Sequence, residues 1–312
     1  MNLDQAVTAY VAYKQSLGMR FATEARTLKS FSKNVGAAVD VDRIGPQQVR
    51  DFLNGNGPVT RFWHRKLVAL RGFYRFCLAR GYAHHLPLPT TAAKCLQSFT
   101  PYIYSEDEIK RLLEAAAVRD RCNICASTSR TLLLLLYAAG LRISEALNLN
   151  LADVDLEAGL LHIRETKFYK TRLVPTGADL TKVLRDYALL RCQRSPVDPD
   201  APFLLTRQGK RPSRAGAEEA FKQMREHAGV RRVDGARYQP RLHDLRHAAA
   251  VTRLVRWYHE GADVQRLLPQ LATYLGHVHI TGTQRYLTMT PERLRQASLR
   301  FERFVFAETD HA

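Results

Sequence analysis

Acid is in short supply in this chain. Thirty Asp and Glu face 47 Lys and Arg, which leaves a formal net charge of +17 and a pI near 9.9. So large a basic excess calls for a polyanionic partner, nucleic acid first. An anionic membrane surface would require an amphipathic anchor or a lipidation signal, and neither is present. Long apolar runs are also missing: the longest, Leu132 to Gly140, falls far short of the roughly 18–20 residues that span a bilayer. The opening stretch MNLDQAVTAYVAYKQSLG has no basic flank followed by an apolar core, so it is not read as a secretory signal. Cysteine is scarce and odd in number, five in all. Without an export signal that argues against a disulfide framework and for a reducing, cytoplasmic setting. Cys122 and Cys125 form one C-x-x-C, but no second pair supplies the remaining ligands of a zinc site, so they read as small helix-lining residues. No metal or cofactor is expected. Internal repeats and low-complexity tracts are absent.

What is present is ordinary folded-protein material, 46% hydrophobic and 25% charged over 312 residues, enough for two domains. Residues 1–84 read as a helical domain. Leu3, Ala6, Val7 and Tyr10 follow helical spacing with Gly18 beyond the end, and Thr23 is a candidate cap for a second helix carrying Leu28, Phe31 and Val35. Gly45-Pro46 opens a third, with Val49, Phe52 and Leu53. A fourth, over 60–79, has Phe62, Leu67, Leu70, Phe73, Tyr74 and Cys77 as its buried stripe. Around that stripe lie Arg61, His64, Arg65, Lys66, Arg71 and Arg75, with no acid to balance them. Such a helix suits the tracking of a phosphate backbone, so Arg61, Arg65, Lys66, Arg71 and Arg75 are the expected nucleic-acid-binding residues; a solvated basic face is the plainer alternative.

Residues 85–103, with prolines at 87 and 89, read as an extended linker, and 104–312 as a second domain. Ser105 and Glu108 have capping-box spacing. Thr131 to Ala139 is apolar all round and reads as a central helix, followed at once by Leu141-Arg142-Ile143-Ser144-Glu145. An arginine leaving a buried helix needs an anion or a carboxylate. Leu160 to Arg164 and Arg172 to Pro175 read as a hairpin with Lys167 and Lys170 in its turn, and Phe203-Leu204-Leu205 as a further short strand. The fold class expected is therefore mainly α with a small β-sheet (α+β). His243-Asp244-Leu245-Arg246-His247 opens a helix, putting His243 and Arg246 on one face of its first turn. Another helix stops at Gly276, His277 follows, and Thr281 is a candidate cap for a short helix with Tyr286. The stretch Pro291 to Phe306 is amphipathic.

Singly, each unusual polar residue has an ordinary explanation: Arg142 can pair with Glu145, Lys167 can be a surface residue, His243 and His277 can cap helices, and Tyr286 can be core. Together, two arginines, a lysine, two histidines and a tyrosine make a site for a phosphodiester. Arginine forks bind two phosphate oxygens and can neutralise the charge of a five-coordinate phosphorus. A tyrosine hydroxyl is a nucleophile if something takes its proton, and a lysine can protonate the leaving alkoxide.

The segments LYAAGLRISEAL, TKFYKTRLVP, HDLRH and YLGHVHITGTQRYL, in this order, resemble the tyrosine recombinases, the phage-integrase family. The resemblance covers about 105–306, and residues 1–84 look like that family's SAM-like core-binding domain, which with the catalytic domain forms a clamp around DNA. It implies a site-specific recombinase that cleaves and rejoins DNA through a 3′-phosphotyrosyl link, without ATP or a divalent metal. Arg142 and Arg246 would hold the scissile phosphate, His277 would bond one of its oxygens, and His243 would assist proton transfer. Lys167, favoured over Lys170 by the RLVP that follows, would protonate the 5′-oxygen, and Tyr286 would attack. Glu145 would support Arg142. The partners implied are double-stranded DNA, further copies of the chain in a tetramer, and related recombinases. The long interval between His243 and His277, with additional residues around Trp257 to Pro269, looks more like recombinases of transposable elements. Three rival readings are a type IB topoisomerase, which shares the chemistry; a DNA-binding accessory protein without cleavage; and a metal hydrolase built on His243 and His247. The last lacks the Glu of H-E-x-x-H and sets Arg246 against the ion.

Overall fold

A computed structural model describes residues 1–57, 59–94, 100–117, 123–164, 171–193, 198–236, 238–277 and 279–287. The chain divides into two compact units, Met1–Phe99 and Thr100–Ala312. The division falls inside the stretch read as a linker. Leu88 and Ala93 pack on the first core, and Tyr102, Ile103 and Tyr104 on the second.

The first unit is helical. α1 (Leu3–Ser16) buries Leu3, Ala6, Val7 and Tyr10, and Asn2 caps it by accepting from Gln5 N at 2.9 Å. α2 (Ala22–Val35) begins two residues earlier than the Thr23 cap would have it. Phe21 precedes it in the left-handed region at φ 42°, and its ring meets Tyr10 edge-on at 5.4 Å. α3 (Pro46–Asn54) follows, with Gln48 Oε1 accepting from Gly45 N. α4 (Arg61–Ala79) buries Trp63, Leu67, Leu70, Phe73, Tyr74 and Cys77. Phe62, expected inside, is 54% exposed, and Trp63 takes its place with the indole N–H donating to Asn54 Oδ1 at 3.0 Å. The indole buries more surface and finds a partner for its one polar atom. At Gly72 a Cβ would lie 2.5 Å from Tyr10 Oη, so glycine is what lets α4 approach α1.

The second unit is built round α6 (Ala126–Tyr137), whose Leu132, Leu133, Leu135 and Leu136 are all buried. Against it pack α5 (Glu106–Ala117), α8 (Ala178–Cys192), α9 (Arg214–His227) and α10 (Asp244–His259). The Ser105–Glu108 capping box forms in both directions, at 2.9 and 3.2 Å. α7 (Ile143–Asn148) leads into an antiparallel sheet of β1 (Val154–Asp155), β2 (Leu160–Ile163) and β3 (Arg172–Pro175), in that order. Leu161, Ile163 and Val174 turn to the core, with Leu161 paired to Val174 and Ile163 to Arg172. The strand expected at Phe203-Leu204-Leu205 does not form. Among the described residues a single bridge, Asn150 to Pro202, is the pairing this region has. Phe203 N donates to Leu149 O and Leu205 N to the Tyr187 hydroxyl, so the segment is buried and bonded without a ladder. α11 (Val264–Leu275), which carries Pro269 within it, and the short α12 (Thr281–Leu287) complete the described chain. Thr281 is the first residue of α12, not its cap. The amphipathic stretch 291–306 lies outside the described residues.

Candidate active site

The site is assembled where α6 and α11 end. Gly140 turns the chain after α6 at φ 61°, and Arg142 becomes the N-cap residue of α7. Glu145, one turn on, reaches back: its carboxylate accepts from Arg142 N at 2.9 Å and from Arg142 Nη1 at 2.5 Å. Arg172, at the start of β3, donates Nη1 and Nη2 to the two oxygens of the same carboxylate at 3.0 and 2.8 Å. Arg246, in the first turn of α10 and 2% exposed, has Nη1 3.9 Å from Glu145. Three guanidiniums thus surround one carboxylate, leaving a formal local excess of positive charge.

Their other donors go to main-chain carbonyls. Arg142 Nη2 donates to Gly276 O at 2.6 Å, Arg172 Nε to Tyr274 O at 3.0 Å, and Arg246 to Gly140 O and Leu275 O. The last carbonyls of a helix lack intrahelical partners and carry its partial negative charge, so the end of α11 is a natural socket for arginines. Gly276 closes α11 in the left-handed region at φ 65°, and a Cβ there would stand 2.6 Å from Arg172 Nη1. Glycine is required both for the turn and for the room.

Electrostatics follow from this packing. Burial alone would raise the Glu145 carboxyl, but the hydrogen bonds and charge of Arg172 and Arg142 outweigh it and hold the group at about 2. Burial, then Arg142, lowers the Arg246 guanidinium to about 10, so it remains charged at neutral pH. Burial, reinforced by Arg246, pushes both His243 and His277 down to about 4. Each is therefore a neutral imidazole near pH 7, with one nitrogen to donate and one to accept.

The nucleophile candidate lies among these groups. Tyr286 on α12 is 2% exposed, its ring stacked over His277 with centroids 6.0 Å apart. Its hydroxyl is 2.9 Å from His247 Nδ1. His247 in turn meets the His243 ring edge-on at 4.9 Å. His277 Nδ1 lies 2.6 Å from Thr283 Oγ1, which fixes the imidazole against α12.

Of the expected residues, Arg142, Glu145, His243, Arg246, His277 and Tyr286 come together; Lys167, with its rival Lys170, lies outside the described residues. Sequence reasoning missed the roles of Arg172, His247 and Thr283. A signal existed for Arg172, which sits two residues before the inward Val174 and so on the core face of its strand. His247 was visible only as a candidate metal pair with His243. Among the described residues no three His, Cys, Asp or Glu side chains are grouped to hold a metal. Cys122 lies outside the described residues, and Cys125 Sγ contacts Thr128 Oγ1 at 3.0 Å.

On the first unit, Arg61, Arg65, Arg71 and Arg75 are exposed along α4. Lys66 is turned inward instead: its Nζ donates to Phe52 O at 2.6 Å at the end of α3 and sits over the Phe52 ring, and desolvation lowers its pKa. No helix among the described residues is long and apolar enough to cross a membrane.

Residues 103–293 match the phage integrase family. The chain is 37% identical over 305 residues to "Putative integrase/recombinase y4rB" of Sinorhizobium fredii, covering 96% of each. It is 32% identical over 270 residues to the tyrosine recombinase XerD of Bifidobacterium longum, covering 83% of this chain and 82% of that one. In fold it is similar to the Tn1549 transposon integrase in complex with a circular intermediate DNA, with a TM-score of 0.71 at 14% identity over 96% of this chain and 99% of that one. It is similar also to a lambda integrase tetramer bound to a Holliday junction, with a TM-score of 0.69 at 16% identity over 94% of this chain and 78% of that one.

Proposed function

This chain belongs to the phage integrase family and is a tyrosine-type site-specific DNA recombinase, and from that premise we propose that Tyr286 is its nucleophile and the arginine cluster its phosphate site. The observation that carries the reading is the convergence of Arg142, Arg246, His277 and Tyr286, from α6–α7, α10, α11 and α12, on one buried centre.

Arg142 and Arg246 bind the non-bridging oxygens of the scissile phosphate, using guanidinium N–H groups beyond those already given to carbonyls, since each fork carries five. Both stay charged while negative charge grows at phosphorus, so the transition state gains more than the ground state. Neutral His277 donates to a phosphate oxygen, and His243 assists proton movement. Tyr286 Oη bonds to phosphorus as the 5′-oxygen leaves and takes a proton, the role assigned to Lys167. One phosphodiester becomes another, so the reverse attack by a 5′-hydroxyl rejoins the strand without an external energy source. Glu145 keeps Arg142 and Arg172 in place and reduces their mutual repulsion.

Double-stranded DNA is the partner, engaged by this centre and by the exposed arginines of α4. The working form is a tetramer on two duplexes, a reading supported by the likeness in fold to a lambda integrase tetramer bound to a Holliday junction, and the likeness in fold to a transposon integrase supports a role on a mobile element. The test is a nicked duplex bearing a site that this protein selects from a random pool. A covalent protein–DNA adduct is expected with the wild-type chain and none with Tyr286→Phe. An adduct that survives the substitution assigns the nucleophile elsewhere, and binding without any adduct favours a non-cleaving accessory protein. Crosslinking on the same DNA should trap four copies.

A further inference from the structure

We infer that His247 is a catalytic residue: its Nδ1 accepts the proton of the Tyr286 hydroxyl as that oxygen attacks phosphorus. This rests on Tyr286 being the nucleophile, and it gives the deprotonation step to a side chain for which no role was otherwise assigned.

The geometry is direct. Nδ1 and Oη are 2.9 Å apart, within the range in which a general base takes a proton without an intervening water. The rings are 5.5 Å apart and tilted at 56°, so the contact is made through the heteroatoms and not by stacking. His247 lies on α10, one turn after His243 and next to Arg246, and Tyr286 on α12, so the two are brought together by the packing of these helices. His243, expected to assist proton transfer, has its ring against His247.

Charged and titratable side chains surround the pair. His243 faces His247 from the same helix and is held neutral near pH 7. Tyr286 faces it from α12, and His277, also neutral near pH 7, stacks on the far side of the tyrosine ring. Arg246 interacts electrostatically with Tyr286, and Arg142 with both His243 and His277. α6 meets α10 through the apolar core that holds Leu245 and Ala248. A phenol has an ordinary pKa near 10 and an imidazole near 6.5, so full transfer before attack is uphill. It becomes feasible when the new O–P bond draws charge from the oxygen as the proton leaves. The balance is closed: the phenol proton goes to Nδ1 of His247, the Oη pair forms the bond to phosphorus, and the pair of the breaking P–O bond stays on the 5′-oxygen, which is protonated by a separate acid. On rejoining, imidazolium returns its proton to the departing phenolate.

The test compares adduct formation by the full chain on two nicked duplexes, one with the normal scissile phosphodiester and one with sulfur in place of the 5′-bridging oxygen. Thiolate leaves without an acid, so this substrate relieves any defect in leaving-group protonation and none in nucleophile activation. His247→Ala removes the base; His247→Asn keeps a hydrogen-bonding atom near Nδ1 but cannot take the proton. Both are expected to slow adduct formation on the order of 100-fold at pH 7, equally on the two substrates, with the deficit shrinking as pH rises toward 10. Affinity for the duplex, measured alongside, should match wild type and shows that the variants fold. Wild-type rates in His247→Asn would reduce His247 to a positioning residue, and rescue by the sulfur substrate would move it to the leaving group. Either result overturns the proposal, as does an undiminished rate in His247→Ala. Failure of the wild-type chain to form an adduct, or an adduct that persists in Tyr286→Phe, would overturn the nucleophile assignment and this proposal together.

Discussion

Arg172 grips Glu145 with both ends of its fork, Nη1 to Oε1 at 3.0 Å and Nη2 to Oε2 at 2.8 Å, while its Nε holds the carbonyl of Tyr274. The pair ties the start of β3 to the end of α11 across the arginine cluster, and its side chains are 11% and 5% exposed. Removing one partner of a buried pair leaves an uncompensated charge. Arg172→Ala is therefore expected to destabilise the chain by about 3 kcal/mol, the low end of the range for such losses because Glu145 keeps Arg142. Arg172→Lys should recover only part, since a point charge cannot reproduce two parallel bonds. Urea unfolding of the full chain checks both; a loss below about 0.5 kcal/mol would show that Arg142 alone satisfies the carboxylate.

Gly276→Ala tests the same junction from the other side. A left-handed φ costs a non-glycine residue about 1–2 kcal/mol, and the added methyl would meet the Arg172 guanidinium at 2.6 Å. Arg172 must then move, and His277 with it. Adduct formation is expected to fall by more than the stability loss alone explains. Restoration of the rate by lowering the temperature would show a folding defect only.

Stability should fall with acid in two stages. His243 and His277 resist protonation down to about 4 in the folded chain, whereas unfolded imidazoles titrate near 6.5. Between these values the unfolded state binds more protons, so stability declines as pH drops from 6.5 to 4. Glu145 adds a second decline between 4.5 and 2, because its folded carboxyl stays ionised to about 2. Urea titrations at pH 7.5, 5.5 and 4 should show the first stage, and His277→Gln should flatten it. A flat profile in the wild type over that window would mean that the imidazoles are not shielded in solution.

On α4 the exposed arginines and the inward lysine should separate. Arg65→Ala, Arg71→Ala and Arg75→Ala are each expected to weaken DNA binding with little sequence preference. Each should also reduce the slope of log affinity against log salt by about 0.9 for every phosphate left unneutralised. Lys66→Ala should leave the slope unchanged and instead cost about 1–2 kcal/mol of stability, because its ammonium satisfies carbonyls at the end of α3. A salt slope that moves with Lys66 and not with the arginines would reverse the assignment.

Apolar spacing was enough to find α6, α10 and α11, whereas the short α7 and α12 were read from the glycine stops before them. The glycine stop after Leu275 and the capping box at Ser105 are written in local residue types, because they depend on neighbours three or four positions away. The segments around Arg142, Arg246, His277 and Tyr286 were legible for the same reason, each being a short local pattern. Choosing Trp63 over Phe62 for the core was not legible, since both fit a broad helical stripe and only the position of Asn54 decides which ring finds a partner. Nor was the absence of a strand at Phe203, where the composition suits one but the fold supplies a single bridge. The contacts that define the chemistry join residues far apart in the chain: 27 positions between Arg172 and Glu145, 39 between His247 and Tyr286, 134 between Arg142 and Gly276. Periodicity carries no information over such distances. The packing of α7, α10, α11, α12 and β3 against one another settles which carboxylate neutralises the arginines and which histidine meets the tyrosine, because burial makes every charge and hydroxyl there find a partner.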